Sequence, residues 1–176
     1  MILRAKKGIN TIMKILFISH DASRTGAPIL LRNFMRWLKA NTKHKFNLLY
    51  RYGGPLETDF EELTTTKAFY PKFYNNYSTV LQKVLNRLGY YKYKLNRHHA
   101  QLVKQYQNQG FDLIYSNTIA NLTILRVLKE LKIPILIHAR ELETANEYCG
   151  GKKTITELDN LCKHFIADSY AVKENL

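Results

Sequence analysis

Apolar and polar positions along this 176-residue chain follow two rhythms. Short, mostly apolar runs occupy residues 15–18, 46–50, 112–116, 133–138 and 165–168. Runs of that length without a polar face read as strands buried on both sides, as in a parallel sheet. Residues 67–70 form a weaker run of the same kind. Between the runs, apolar residues recur at three- and four-residue steps, the mark of a helix with one buried face. Leu30, Leu31, Phe34, Trp37 and Leu38 give the first stripe, and they predict a single inward face. A short acidic helix is expected over residues 56–63. Tyr77, Val80, Leu81, Val84, Leu85 and Leu88 give a further stripe, broken at Gly89. Leu95, His99, Leu102, Val103 and Tyr106 give another, which ends before Gly110. Asn117 and Thr118 are suited to cap the next helix, with Leu122, Leu125, Leu128 and Leu131 inward. Residues 139–149 read as a loop or short helix, and residues 154–162 as a helix.

Strands alternating with helices predict an α/β, Rossmann-like doubly wound parallel sheet with helices on both faces. In such sheets ligands bind outside the carboxyl ends of the strands. The first strand leads through a polar loop, residues 19–26, to Pro28, expected at the first helical position. A helix N-terminus at that edge favours an anion such as phosphate. The loop holds one glycine at its exit rather than G-x-G-x-x-G, which argues against NAD. Asn117, His138, Arg140, Glu141 and Ser169 all lie at strand ends, and are expected on one rim. His138 suits proton transfer or hydroxyl orientation. Arg140 could pair with a phosphate, or with Glu141 or Glu143.

Charge changes this picture in one region. The chain carries 27 Lys and Arg against 14 Asp and Glu, a net charge of +13. No acid lies between Leu63 and Phe111, where Lys83, Arg87, Lys92 and Lys94 interleave with tyrosines. Three readings stay open for this segment: a solvated face, a surface docked on anionic membrane, or a phosphate-binding surface for nucleic acid. No nucleic-acid motif supports the last, so nucleic acid is not expected. No apolar run reaches the roughly 20 residues needed to span a bilayer, and no secretory cleavage pattern comes after the basic start. A cytoplasmic protein is therefore expected, peripheral at the inner face of the plasma membrane on the second of the three readings. Cys149 and Cys162 fit neither a redox pair nor a zinc knuckle. His98 and His99 lack partners for a metal site, and no metal is expected.

Four segments in this order, MKILFISHDASRTGAP, DLIYSNT, IPILIHARELE and HFIADSYAVKENL, resemble the N-terminal half of GT-B glycosyltransferases of the family 4 type. The resemblance runs from Met13 to the last residue. It implies residues 13–176 as a Rossmann-like, acceptor-side domain, residues 1–12 as a loosely ordered extension, and a donor-binding domain beyond the sequence. It implies retaining transfer from a nucleotide-sugar to a polysaccharide or lipid-linked acceptor, without metal. Gly26 and Ala27 match the loop that approaches donor phosphates and acceptor, His138 the family histidine, and Asn117, Arg140, Glu141 and Ser169 the cleft lining. Thr25-Gly26 stands where many members have two glycines, and Arg140 stands beside Glu141 where many have the histidine next to the acid. This half alone is expected to be inactive. The rival reading is a non-catalytic Rossmann-like module that binds anionic membrane or another polyanion.

Overall fold

The computed structural model describes residues 12–71, 79–141, 150–162 and 164–174. Six strands form one all-parallel sheet in the order β3-β2-β1-β4-β5-β6. They are β1 (Lys14–Ser19), β2 (Lys45–Tyr50), β3 (Thr66–Ala68), β4 (Leu113–Ser116), β5 (Ile135–Ala139) and β6 (His164–Ala167). The helices are α1 (Gly26–Asn41), α2 (Glu57–Leu63), α3 (Val80–Arg87), α4 (Tyr90–Gln107), α5 (Leu122–Leu128), α6 (Gly151–Leu161) and α7 (Tyr170–Glu174). This is the doubly wound arrangement expected from the sequence. Its strand order reverses between β1 and β4, and that switch point is where such sheets open a crevice at their carboxyl edge.

Two cores lie on opposite faces of the sheet. Ile15, Phe17, Leu48 and Tyr50 face α1 and α2. Leu16, Ile18, Ile114 and Ile137 face α4, α5, α6 and α7, with Leu102, Leu125, Leu158 and Val172 packed against them. Alternation of side chains along each strand makes this division. Burial on both faces explains why β1 reads as an unbroken apolar run.

Three features of the helices differ from the sequence expectation. Pro28 is the third residue of α1, not the first. Any position in the first turn tolerates proline, because none of those N–H groups has an intrahelical partner. The inward face of α1 is Pro28, Leu31, Met35 and Leu38, whereas Leu30, Phe34 and Trp37 are exposed. The buried face is turned by about a quarter of a turn from the predicted stripe. Met35, a flexible side chain suited to irregular gaps, is fully buried in the same core as Phe17, although it was not part of the predicted stripe. Phe34 leans edge-on against Phe17 and lies 5.8 Å from Tyr115, at the margin of this core. Finally, α3 has its predicted stripe but no buried residue. Tyr77, Glu143, Cys149 and residues 1–11 lie outside the described residues, as does most of the predicted 139–149 segment. Cys162 is a buried free thiol. Among the described residues, no helix is long and apolar enough to cross a membrane.

Candidate functional site

The carboxyl edge of the sheet carries the strand-end residues expected there, since all the strands run one way. The loop after β1 is held firmly. Asp21 accepts hydrogen bonds from the Ser23 N–H and hydroxyl through Oδ1, at 3.1 and 2.9 Å. Ala22 donates to the Tyr52 carbonyl at 3.1 Å and accepts from Leu56 N–H at 2.8 Å. The loop after β2 presses close enough that a Cβ on Gly54 would meet the Ala22 carbonyl oxygen at 2.5 Å. Glycine is therefore required there by close approach of two backbones.

Gly26 is the first residue of α1, and a Cβ added to it would meet nothing within 4 Å. The N-cap residue Thr25 makes no side-chain cap, its hydroxyl being hydrogen-bonded to Ser23 at 2.8 Å. No acid lies in the first turn of α1. The helix thus presents uncapped N–H groups to open space beside the switch point, a favourable place for negative charge. Fully buried Asn117, at the end of β4, donates through Nδ2 to the Ala27 carbonyl at 2.8 Å. That bond ties the helix start across the switch point. Among the described residues, Asn117 Oδ1 is buried without a hydrogen-bond partner.

A second cluster lies one strand further along. His138 Nδ1 is 2.5 Å from the Tyr115 hydroxyl and 3.1 Å from Arg140 Nη2. Its Nε2 contacts Asp168 Oδ1, and Arg140 Nη1 donates to Asp168 Oδ2 at 3.1 Å. A guanidinium has donors only. Its approach to Nδ1 therefore requires that nitrogen to be an acceptor, which leaves the ring proton on Nε2, donated to Asp168. The Tyr115 hydroxyl then donates to Nδ1 as well. Burial raises the Tyr115 phenol above the ordinary tyrosine value, while nearby Arg140 acts in the opposite sense. With side chains 14% and 16% exposed, His138 and Arg140 are oriented groups rather than free surface side chains.

Glu141 points elsewhere. Its carboxylate accepts from the Thr118 hydroxyl, from Ile119 N–H at 3.4 Å and from Arg140 N–H at 2.9 Å. It braces the start of the turn that leads into α5. Ser169 accepts from Val172 N–H at 3.2 Å and so caps α7. The rim thus brings Ala27 to Asn117 and His138 to Arg140, while Glu141 and Ser169 stabilise the chain around them. A groove of about 860 Å³ lined by Asp168, Ser169, Phe165 and Tyr170 adjoins the His138 cluster.

Tyr115, Asp168 and Arg51 were not singled out in the sequence. Tyr115 and Asp168 sit in or beside apolar runs, where they read as strand residues. Arg51 comes directly after β2, with its guanidinium 5.0 Å from the Tyr52 ring and 5.7 Å from the Tyr70 ring. The Arg51 and Asp168 signals, charged residues at strand ends, were available in the sequence, whereas that of Tyr115 was not. Among the described residues, no group of three or more His, Cys, Asp or Glu is arranged to hold a metal ion.

The fold is similar to that of the apo form of the lipopolysaccharide outer core galactosyltransferase WaaB, with a TM-score of 0.60 and 11% identity over 93% of this chain and 41% of that one. It is also similar to UDP-GlcNAc 2-epimerase from Methanocaldococcus jannaschii, with a TM-score of 0.53 and 14% identity over the same shares. The chain spans about two-fifths of the length of these solved chains. No protein-family model matches it, and no curated protein sequence does. At these identities the likeness is one of architecture: a GT-B-like, Rossmann-like domain.

Proposed function

We propose that this chain is the acceptor-side domain of a retaining glycosyltransferase that transfers a sugar from a nucleotide-sugar to a polysaccharide or lipid-linked acceptor at the inner face of a membrane. The observation that carries the reading is the switch point. There the open, uncapped start of α1 at Gly26 and Ala27 lies on the same sheet edge as the oriented His138–Arg140–Asp168 cluster. Uncapped N–H groups suit the diphosphate of a donor, and the cluster suits a sugar hydroxyl. WaaB, a galactosyltransferase by its title, shares the fold.

In this role His138 orients the acceptor hydroxyl or the reacting sugar. Asp168 fixes its tautomer through Nε2, and Tyr115 and Arg140 hold its ring through Nδ1. Asn117 keeps the helix start in register with β4. A helix start at an exposed site contributes only ~0.3–1 kcal/mol toward an anion. Most of the donor's binding energy would therefore come from a second domain, and this chain alone would not turn over.

The test is a screen of nucleotide-sugars for transfer and hydrolysis, using the natural full-length protein. Transfer is expected with at least one donor. His138→Ala is expected to lower turnover by roughly 10²–10⁴-fold, the range for a positioned proton-transfer group. Asp168→Asn is expected to lower it less. Near-wild-type turnover in His138→Ala would remove that residue from the chemistry. Conversion of the nucleotide-sugar to its epimer, without transfer, would overturn the transferase reading.

A further inference from the structure

Arg51 is a partly buried cation without a counter-charge. It comes directly after β2, at the carboxyl edge of the sheet. Its guanidinium lies 5.0 Å from the Tyr52 ring and 5.7 Å from the Tyr70 ring, and the two rings are 5.7 Å apart. Among the described residues, its Nε is buried without a hydrogen-bond partner, and no acid forms an ion pair with the guanidinium. Acids close by in the sequence are engaged elsewhere. Asp21 accepts from Ser23 through Oδ1, and its Oδ2 lies 3.3 Å from His20 Nε2. Glu57 accepts from Gly54 N–H at 2.7 Å and from the Tyr50 hydroxyl at 3.3 Å. Taking a cation out of water without an anion is costly. Ring faces offset part of that cost, and they leave the N–H donors uncommitted. A guanidinium has donors only, so its missing partner is an acceptor, above all an anionic one.

Backbone contacts on both sides hold Arg51 in place. Arg51 N–H donates to the Ser19 carbonyl at 3.0 Å and Tyr52 N–H to the His20 carbonyl at 3.2 Å, which carries the β1–β2 ladder past the ends of both strands. Phe69 N–H donates to the Tyr50 carbonyl at 2.8 Å, which brings Tyr70 beside Tyr52. Alternation puts Arg51 on the face of Leu49, and Tyr70 packs against the core of that face. The α1 helix packs on the opposite face, with Phe17 and Tyr50. A diphosphate at Gly26 is therefore not placed to neutralise Arg51. A planar donor fork held over two rings and pinned through its backbone suits a single carboxylate or phosphate, because little freedom is left to lose on binding. Tyr52, 46% exposed, presents an apolar ring with a polar tip to the body of such a ligand.

We infer that Arg51, held by Tyr52 and Tyr70, receives a carboxylate or phosphate group of the acceptor, which is therefore an acidic saccharide. The assignment to the acceptor rests on the transferase reading above, whereas the anion site does not. Arg51 lies on the β2–β3 side of the switch point, and the His138 cluster on the β4–β6 side. From β2 to β5 the sheet order gives three strand spacings, roughly 14 Å at 4.7–4.9 Å each. The charge bound at Arg51 is thus remote from the reacting hydroxyl. It contributes to holding the acceptor rather than to the bond-making step.

The test has a binding arm and a kinetic arm. In the first, the purified chain is titrated with sodium glucuronate, glucose 6-phosphate, inorganic phosphate and neutral glucose, in about 0.15 M salt to screen its net charge. The Arg51 Nε–H signal, assigned by its loss in Arg51→Gln, is followed by nuclear magnetic resonance. Both acidic sugars are expected to shift it, and glucose is not. No shift with either acidic sugar would overturn the site, and inorganic phosphate that binds as tightly as the sugar phosphate would reassign it to free phosphate. Arg51→Gln is expected to weaken binding of the acidic sugars, read from the Tyr52 amide signal, by at least about tenfold. Arg51→Lys is expected to lose less, and both variants to keep an unfolding midpoint near that of wild type. A lowered midpoint with unchanged anion binding would make Arg51 a structural residue and overturn the site. In the second arm, the natural full-length protein is given acidic and neutral acceptors with a donor that supports transfer. Acidic acceptors are expected to show the lower KM, and Arg51→Gln to raise it about tenfold while lowering kcat far less. Equal use of neutral acceptors, or a fall in kcat as large as the rise in KM, would overturn the inference. Failure of transfer with every donor would instead end the transferase reading, and the titration alone would then decide the anion site.

Discussion

The α3 helix and the C-terminal half of α4 carry similar sequence patterns and meet opposite fates. Both show apolar residues at helical spacing, and both are free of acids. In α4, Leu102, Val103 and Tyr106 are buried against the sheet beside Phe111 and Leu125. In α3, no residue is buried. The difference lies in what is underneath: α4 packs Leu102 and Tyr106 into the core on the sheet face, whereas the neighbour of α3 is α4. A stripe therefore shows that a helix has an apolar face and leaves open whether the protein itself covers it. The α1 helix repeats the lesson on one element, with Leu31 and Met35 fully buried, Leu30 and Trp37 exposed, and Phe34 at the margin of the core.

The sharpest way to break this comparison is to truncate matching aliphatic residues on the two helices. Leu102→Ala, at a site 4% exposed, is expected to cost about 2–5 kcal/mol in chemical unfolding. Val84→Ala should stay within about 0.5 kcal/mol of wild type, as surface substitutions do. Equal costs would mean that α3 packs against the domain in solution. Gly54→Ala comes next. Its Cβ meets backbone of the loop after β1 at 2.5 Å, and a cost of about 1–3 kcal/mol is expected from overpacking. A nearly neutral result would show that the two rim loops can separate.

The junction between the buried and exposed parts of α4 can be read by pH. Burial, and after it the neighbouring His98, pushes the His99 imidazole down to about 4. The unfolded chain takes up that proton near pH 6.5, so between the two values the unfolded state binds more protons. Stability present above about pH 6.5 is therefore lost as the pH falls toward 4. Because His99 is only about half buried, the loss is discounted to the order of 1 kcal/mol. His99→Phe, which keeps a ring on Phe69, should flatten this part of the curve. The His98 imidazole, lowered by its own burial, leaves a smaller slope behind. An unchanged pH profile would show that His99 is solvated in the folded chain. A modest gain in stability, about 0.5–1 kcal/mol, is expected for Gly26→Ala, since it adds a Cβ in open space in a helical turn. Any loss of transfer in this variant would then report on what approaches the helix start rather than on the fold.

Much of the fold was legible because burial on both faces writes itself into the chain. The run Ile15–Ile18 lies within β1, residues 46–50 within β2, and all but the first residue of 112–116 is β4. The strand-end logic also brought out His138 and Arg140, since a parallel sheet gathers the residues at its strand ends along one edge. It could not bring out Tyr115. That residue becomes part of the cluster only because β4 and β5 are neighbours in register, with Tyr115 opposite Leu136 and His138 reaching the same face two residues on. Nor could it separate Glu141, which braces the turn before α5, from Arg140, which pairs with Asp168. Adjacent residues after a strand point in different directions, and the chain turn that decides this leaves no mark in composition or spacing.

By itself, then, the sequence determined the alternation of strands and helices, the parallel sheet, and the concentration of positive charge on one segment. These come from local periodicity and from counts, which need no neighbours in space. Only the tertiary structure decided which side of α1 faces inward, which helix is left without cover, and which side chains meet at His138. Each of those depends on contacts between residues far apart in the chain, and the energy of such contacts is set by what lies opposite rather than by what lies adjacent.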